Sequence, residues 1–422
     1  MSLHEAISQQ ERAHLRELAR EVLECAHLPV MEERRRRWLA HNALRGDRPM
    51  IVMEEASFLD DLLPERQCPS EAGWRIERYL QSQLVNVRLV DDDKVVPAEF
   101  PVYWHIETPG YGVSTERSFA ADAEGRRIGF SQEHPIACLE TDMEKLRHLP
   151  FRVDRAASLA ERDLVGEVLG DILPVRMNND SLRWHMAPSA RMVELMGLEN
   201  MMIAMAEEPE GVEALYRFLA DDMEAFLRWQ ESENLLFLNN GNDYVGAGSY
   251  GFTDELPMPG RSPDAALTGK DLWGNLNSQE TVSISPTMFH ELVYPHYERL
   301  ASLFGLVYFG CCEPVHAIWD RSISRLPNLR KVSISAWCDE MFMGERLRGS
   351  RVIYSRKPSP NFIGVGKTLD EEAFSRHIAA TLEAARGCKM EIIFRDIYTL
   401  SGVRTKAGQA VRIVRKLVDQ MW

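Results

Sequence analysis

The stretch SPTMFHELVYPHYERLASLFGLVYFGCCEP, residues 285–314, is a helix followed by a strand. Ser285 is an N-cap candidate, Pro286 sits in the first turn where its missing N–H costs nothing, and Gly305 stops the helix. LVYFGC then reads as a short apolar strand that ends in two cysteines, a carboxylate and a proline. Outward from this unit the pattern recurs. RPMIVMEE (48–55), VVPAEFPVYWHIE (95–107, interrupted by prolines), ILPVRM (172–177), NLLFLNNG (234–241), DLWGNLNSQET (271–281), LRKVSISAW (329–337), RVIYSRK (351–357) and KMEIIFRDIY (389–398) have strand character. Helical segments lie between them, among them 198–232, a segment from Thr368 to Gly387 with a Thr368/Glu371 capping box, and the amphipathic 411–422. Near-continuous apolar strands are buried on both faces, so the sheet is expected to be parallel. Seven to nine strand–helix units suit a (β/α)8 TIM barrel better than an open sheet.

The chain has 422 residues, of which 45% are hydrophobic and 27% charged, with ample length for a large core. Residues 1–45 read as a helical extension packed outside or capping the barrel, and 46–422 as the barrel itself. The polar amino-terminal helix lacks the apolar centre of a signal peptide, and no apolar run reaches about 18 residues, so a cytoplasmic protein without a membrane span is expected. A formal net charge of −15 argues against nucleic-acid binding. The basic run EERRRRW (32–38) reads as a solvated helix face. Seven cysteines, odd in number and scattered, make no disulfide framework. GAGSYG (246–251) matches a dinucleotide-binding pattern but is not followed by a helix, and is read as a flexible loop over the barrel mouth.

In a barrel the active site lies where strands end at their carboxyl side. The polar residues there are Asn239, Asn240 and Asp243; Asn277, Gln279 and Glu280; Cys311, Cys312 and Glu313; Arg356, Lys357 and Asn361; and Arg395, Asp396 and Tyr398. Alternation places Cys311 and Glu313 on one strand face and Cys312 on the other. Cys311 with Glu313 could begin a zinc site, the vicinal thiols could be a redox pair, or both cysteines could be small packing residues.

The segments FLNNGNDYVGAGSYGFTDELP, DLWGNLNSQETVSISPTMFHELVYPHYERLASLFGLVYFGCCEP, PNLRKVSISAW and YSRKPSPN together resemble the uroporphyrinogen decarboxylase superfamily, in its bacterial decarboxylase-like and corrinoid-dependent methyltransferase branch. The resemblance implies a (β/α)8 barrel, a homodimer and chemistry at the barrel mouth. Glu54 and Glu55 stand where true decarboxylases bind substrate carboxylates, and Tyr398 stands where they have a histidine. The zinc-dependent methyltransferases have a His-x-Cys pair where this chain has Phe309 and Cys311, so only Cys311 and Glu313 remain as zinc ligands. What the resemblance implies first is demethylation of a small methylated compound, with the methyl passed to a corrinoid (cobalamin) on a partner protein. Glu313, Asp396 and Tyr398 would then be proton donors. Asn239, Asn240, Gln279 and Lys357 would orient the substrate, and Trp104 and Trp273 would wall it. The alternatives are a lyase acting on a small carboxylic acid held by Lys357 and Arg356, and a barrel that binds a small molecule or tetrapyrrole without turnover.

Overall fold

The computed structural model describes residues 7–115, 117–121, 127–262 and 264–422. Six parallel strands form its central sheet. They are β1 (Met50–Met53), β6 (Trp273–Leu276), β7 (Leu306–Phe309), β8 (Leu329–Ile334), β9 (Ile353–Arg356) and β10 (Met390–Phe394), in the order β1-β10-β9-β8-β7-β6. Two more strands, β2 (Phe100–Tyr103) and β3 (Val175–Asn178), make a separate parallel pair, and β4 (Tyr244–Gly246) and β5 (Ser249–Tyr250) a small antiparallel hairpin. The chain is therefore an α/β protein with a parallel sheet, as expected.

Both edges of the six-stranded sheet are covered by side chains. On the β1 edge, Asp93 accepts a hydrogen bond from the Ile51 amide and Asp92 one from the Met53 amide, each at 2.7 Å. On the β6 edge, the Asn239 side chain accepts from the Trp273 amide at 2.8 Å and donates to its carbonyl at 3.0 Å. Bare strand edges are open templates for pairing with other chains, and these side chains occupy them. Asn239 also accounts for a difference from the sequence reading. The segment 234–241 is not a strand, because an amide side chain takes the place of its backbone ladder.

Other boundaries shift for local reasons. Pro209 divides the expected 198–232 helix into Leu198–Glu207 and Pro209–Ser232. Asp370, not Thr368, caps the helix Glu371–Ala384, its carboxylate accepting from the Ala373 amide. The helix after β6 contains a π turn at Phe289–Val293, just before Pro295.

The amino-terminal helices α1 (Gln9–Ala26) and α2 (Pro29–Asn42) pack onto the body of the protein. Trp38 of α2 is fully buried and donates to the Asp93 carbonyl. His41 reaches Glu391 of β10 at 3.2 Å. Glu391 and Lys331, both wholly buried, pair at 3.0 Å, and Ser249 and Ser355 donate to the same carboxylate. Burial alone would push the Glu391 pKa up. Lys331 and His41 more than offset this and hold it well below the usual carboxylate range.

The β4–β5 hairpin lies against the face of the sheet that carries this network. Gly246 has φ +152, and a Cβ there would come within 2.5 Å of the Asn275 amide and the Tyr308 ring. Gly248 has φ +86, and its Cβ would meet Ile393 at 2.4 Å. Ala247 and Ser249 are fully buried. The sequence GAGSYG is thus an inserted plug rather than a flexible loop over a mouth. Its glycines let backbone lie where no side chain fits.

Candidate active site

A cavity of about 540 Å³ opens at the carboxyl ends of β1, β2 and β3, bounded on its far side by β6 and the hairpin. This size suits a small organic ligand. Its wall includes Glu54 and Glu55 after β1, Tyr103, Arg176, Asn178, Asp243, Tyr244, Trp273 and Asn275. Two ion pairs are built into it, Arg176 with Glu99 at 2.9 Å and Lys94 with Glu55. Burial pulls Lys94 down to about 7. Burial also raises the carboxyl pKa of Asp243, which takes the Gly241 amide at 3.2 Å. Asn275 is only 7% exposed, and neither atom of its amide has a hydrogen-bond partner among the described residues. Natural proteins rarely leave such groups unmet, and where they do a ligand or water is usually the explanation.

From this cavity a polar chain runs to the cysteines. Glu54 Oε2 lies 3.2 Å from Arg395 Nε, which lies 3.5 Å from Asp396 Oδ1. The Cys312 thiol donates to Asp396 Oδ2 at 3.4 Å, and the two sulfurs are 3.5 Å apart. Asp396 has φ +59, a left-handed conformation that turns the chain sharply at the end of β10. The Cys312 S–H and the Arg395 cation draw the Cys311 pKa below its ordinary value, while Cys312 is pushed up. Cys312 has one proton to donate, to Asp396 or to Cys311.

The other residues singled out in the sequence fall into several places. Glu313 is 3% exposed, and its two oxygens accept the Ser278 amide at 2.9 Å and the Cys311 amide at 2.7 Å. It ties the ends of β6 and β7 together, and burial raises its pKa. Lys357 is buried between Ser355 and Tyr308 and donates to both hydroxyls, and burial brings it down to about 7. Asn240 donates to the Leu256 carbonyl at 2.7 Å. Gln279 is exposed, and Tyr398 is 77% exposed. Trp104 stands outside the cavity wall with Arg155 over its ring at 5.3 Å. Of the residues named for substrate binding, the cavity wall takes in Asn239 and Trp273. Asn239 spends its amide on the Trp273 backbone.

The residues at the end of β7 do not fit a zinc centre. Both Glu313 oxygens are engaged by backbone amides, and a catalytic zinc needs about three protein ligands. Among the described residues no three His, Cys, Asp or Glu side chains are grouped so as to hold a metal ion.

Sequence reading missed Asn275, Tyr103, Arg176, Asn178 and Tyr244. A signal for one of them was present. Trp273, Asn275 and Asn277 alternate along one strand face, so a polar side chain stands in mid-strand facing inward.

The site thus belongs to a parallel α/β protein with a mixed polar and aromatic cavity. No family model matches the chain, and no curated protein matches it. A methyltransferase from Methanosarcina mazei is a structural neighbour with 13% sequence identity and a TM-score of 0.47, over 90% of this chain and 98% of that one. An overlap this loose leaves the chemistry to be argued from the cavity itself. Among the described residues, no helix is long and apolar enough to cross a membrane.

Proposed function

We propose that this chain is a methyltransferase that removes a methyl group from a small compound held in the 540 Å³ cavity. We further propose that the six-stranded sheet and the β2–β3 pair together run parallel and form a (β/α)8 barrel. Its two seams would be closed by Asp92, Asp93 and Asn239 instead of by backbone ladders. The observation that carries the functional reading is the run of charge contacts Glu54–Arg395–Asp396 and the Cys312–Asp396 hydrogen bond, which leads from the cavity wall after β1, past the end of β10, to the thiols after β7. The superfamily resemblance of the sequence supports the reaction class.

In this reading a reduced corrinoid on a partner protein would supply the electron pair for the methyl carbon, and the electrons of the bond from methyl to oxygen, nitrogen or sulfur would stay on the heteroatom. This chain's part is to hold the substrate, orient it and accommodate the leaving group. Asn275 offers an unspent donor and acceptor for a polar end of the substrate. Tyr244, whose phenol burial keeps protonated, offers a proton for a departing anion. Arg395 fixes Glu54 at the cavity edge and Asp396 beside Cys312. Exposed apolar side chains follow several strand ends, Val282 after β6, Trp337 and Met341 after β8, Val365 after β9 and Tyr398 after β10. Such side chains suit a docking partner at this end of the sheet.

The lyase alternative draws less support. Arg356 is 1% exposed and donates to the Ile334 and Ser335 carbonyls and to Glu340, while Lys357 is occupied by Ser355 and Tyr308. The test is incubation with cob(I)alamin and a panel of methylated ethers, amines and sulfides. Conversion to methylcobalamin, lost in Asn275→Ala, is the expected result. Absence of methylcobalamin with every donor class, alongside carbon dioxide release from a small acid, would replace methyl transfer with decarboxylation.

A further inference from the structure

We infer that the ligand of this cavity is a methylated ammonium cation carrying an oxygen function. Three features of the wall point there. The first is charge. Once Arg176–Glu99 and Lys94–Glu55 are set aside as pairs, the wall keeps Glu54, Asp180 and Asp243 against the single cation Arg183. Arg395 behind the wall balances Glu54, and this still leaves an excess of carboxylate, in a chain of net charge −15.

The second is aromatic surface. Tyr103, Tyr244 and Trp273 line the cavity. The face of an aromatic ring attracts a cation, most strongly where water is excluded, and quaternary ammonium groups are bound in this way. One face of Tyr244 is taken by the Arg183 guanidinium, 3.8 Å from its centroid, and Lys331 Nζ lies 5.5 Å from that of Trp273, so of the three Tyr103 is the ring with no cation against it among the described residues.

The third is Asn275, buried in the wall with both amide atoms unmet. Gly246 keeps its space open, since a Cβ there would fall 2.5 Å from the Asn275 nitrogen. An amide of this kind reads a hydroxyl or carboxylate oxygen at one end of a ligand, while the carboxylates and rings hold the cationic end.

The inference rests on the methyl-transfer reading for its choice of a methylated ligand, and it also eases the chemistry of that reading. A quaternary ammonium that gives up a methyl group leaves as a neutral tertiary amine. The C–N bond electrons stay on nitrogen and no proton is required, so the wall needs no strong acid.

The experiment is calorimetric titration of the full chain, without corrinoid, using choline, betaine, tetramethylammonium and the uncharged choline isostere 3,3-dimethylbutan-1-ol. Choline or betaine should bind at least about tenfold more tightly than the neutral isostere. Asp243→Asn should reduce that preference at least about threefold. Asn275→Ala should weaken choline while leaving tetramethylammonium, which has no oxygen, unchanged. Equal binding of choline and its isostere would overturn the inference, as would no binding of any of the three cations up to about 50 mM by a variant-free protein that unfolds cooperatively. The outcomes separate from those of the transfer assay. Selective cation binding with no methyl transfer would remove the reaction and keep the ligand class, whereas transfer from an ether with no cation selectivity would do the reverse.

Discussion

Arg395 Nε stands 3.2 Å from Glu54 Oε2 and 3.5 Å from Asp396 Oδ1, so one guanidinium just past β10 serves a carboxylate at the cavity wall and another beside the thiols. Burial works against the charge on Arg395, but the neighbouring anions, Glu54 first, raise its pKa above the ordinary value. Replacing it with methionine leaves two carboxylates facing each other across an apolar side chain. Arg395→Met should lose about 2–3 kcal/mol in urea unfolding, somewhat less than a fully buried pair because Glu54 is partly exposed. A loss below about 0.5 kcal/mol, the level of surface pairs, would show that the bridge is a surface contact only.

Glu313 is expected to matter for stability before it matters for chemistry. Glu313→Ala removes the acceptor of two buried backbone amides, at about 1–3 kcal/mol each. Glu313→Gln keeps one oxygen and should recover part of the loss. Zinc in protein purified without chelator should be well below one equivalent and the same in Cys311→Ala, as measured by elemental analysis. Near-stoichiometric zinc that disappears with Cys311 would overturn this account of the β7 end.

Lys357 should leave a pH signature. Burial lowers it to about 7 from an ordinary value near 10.5, so between these values the unfolded chain binds the proton and the folded one does not. The contribution of this group to stability therefore rises with pH across that window, by at most about 1.4 kcal/mol per unit. In Lys357→Met the contribution is absent. Wild-type stability relative to the variant should climb from pH 7 to 10 in chemical denaturation, and parallel curves would contradict the burial argument.

The plug can be tested at one glycine. Gly248→Ala meets Ile393 at 2.4 Å with φ +86 and should cost several kcal/mol, seen as a large fall in melting temperature. Gly260 has φ +85 with nothing within 4 Å of its would-be Cβ, so Gly260→Ala carries the backbone strain alone, about 1–2 kcal/mol. The difference between the two variants measures how tightly the hairpin is seated.

The parallel sheet was legible in the sequence because β7 is an unbroken apolar run and β10 is one but for Glu391, and the polar residues at their ends located the vicinal cysteines and Asp396. The cavity was not. Its wall comes from β1, β2 and β3, where prolines at 97, 101 and 174 blur the strand pattern, and from a hairpin whose direction depends on three consecutive positive φ values at 246–248. Asn239 looked like a substrate contact because it ends an apolar run, yet its amide completes the edge of β6. Whether a polar side chain meets ligand or backbone is decided by long-range packing, which alternation along one strand does not encode.

The joining of β1 to β10 and of His41 to Glu391 bears on how the protein is made on the ribosome. The residues that flank β1 on the other side arrive early, but its hydrogen-bonded neighbour is the last strand to emerge. The hairpin likewise rests on Ile393, so it has no seat until that residue is synthesised. While the residues between β1 and β10 are made, β1 thus waits with its strand partner unmade. The sheet is completed only once β10 has emerged, and the nascent chain is a natural client for chaperones until then.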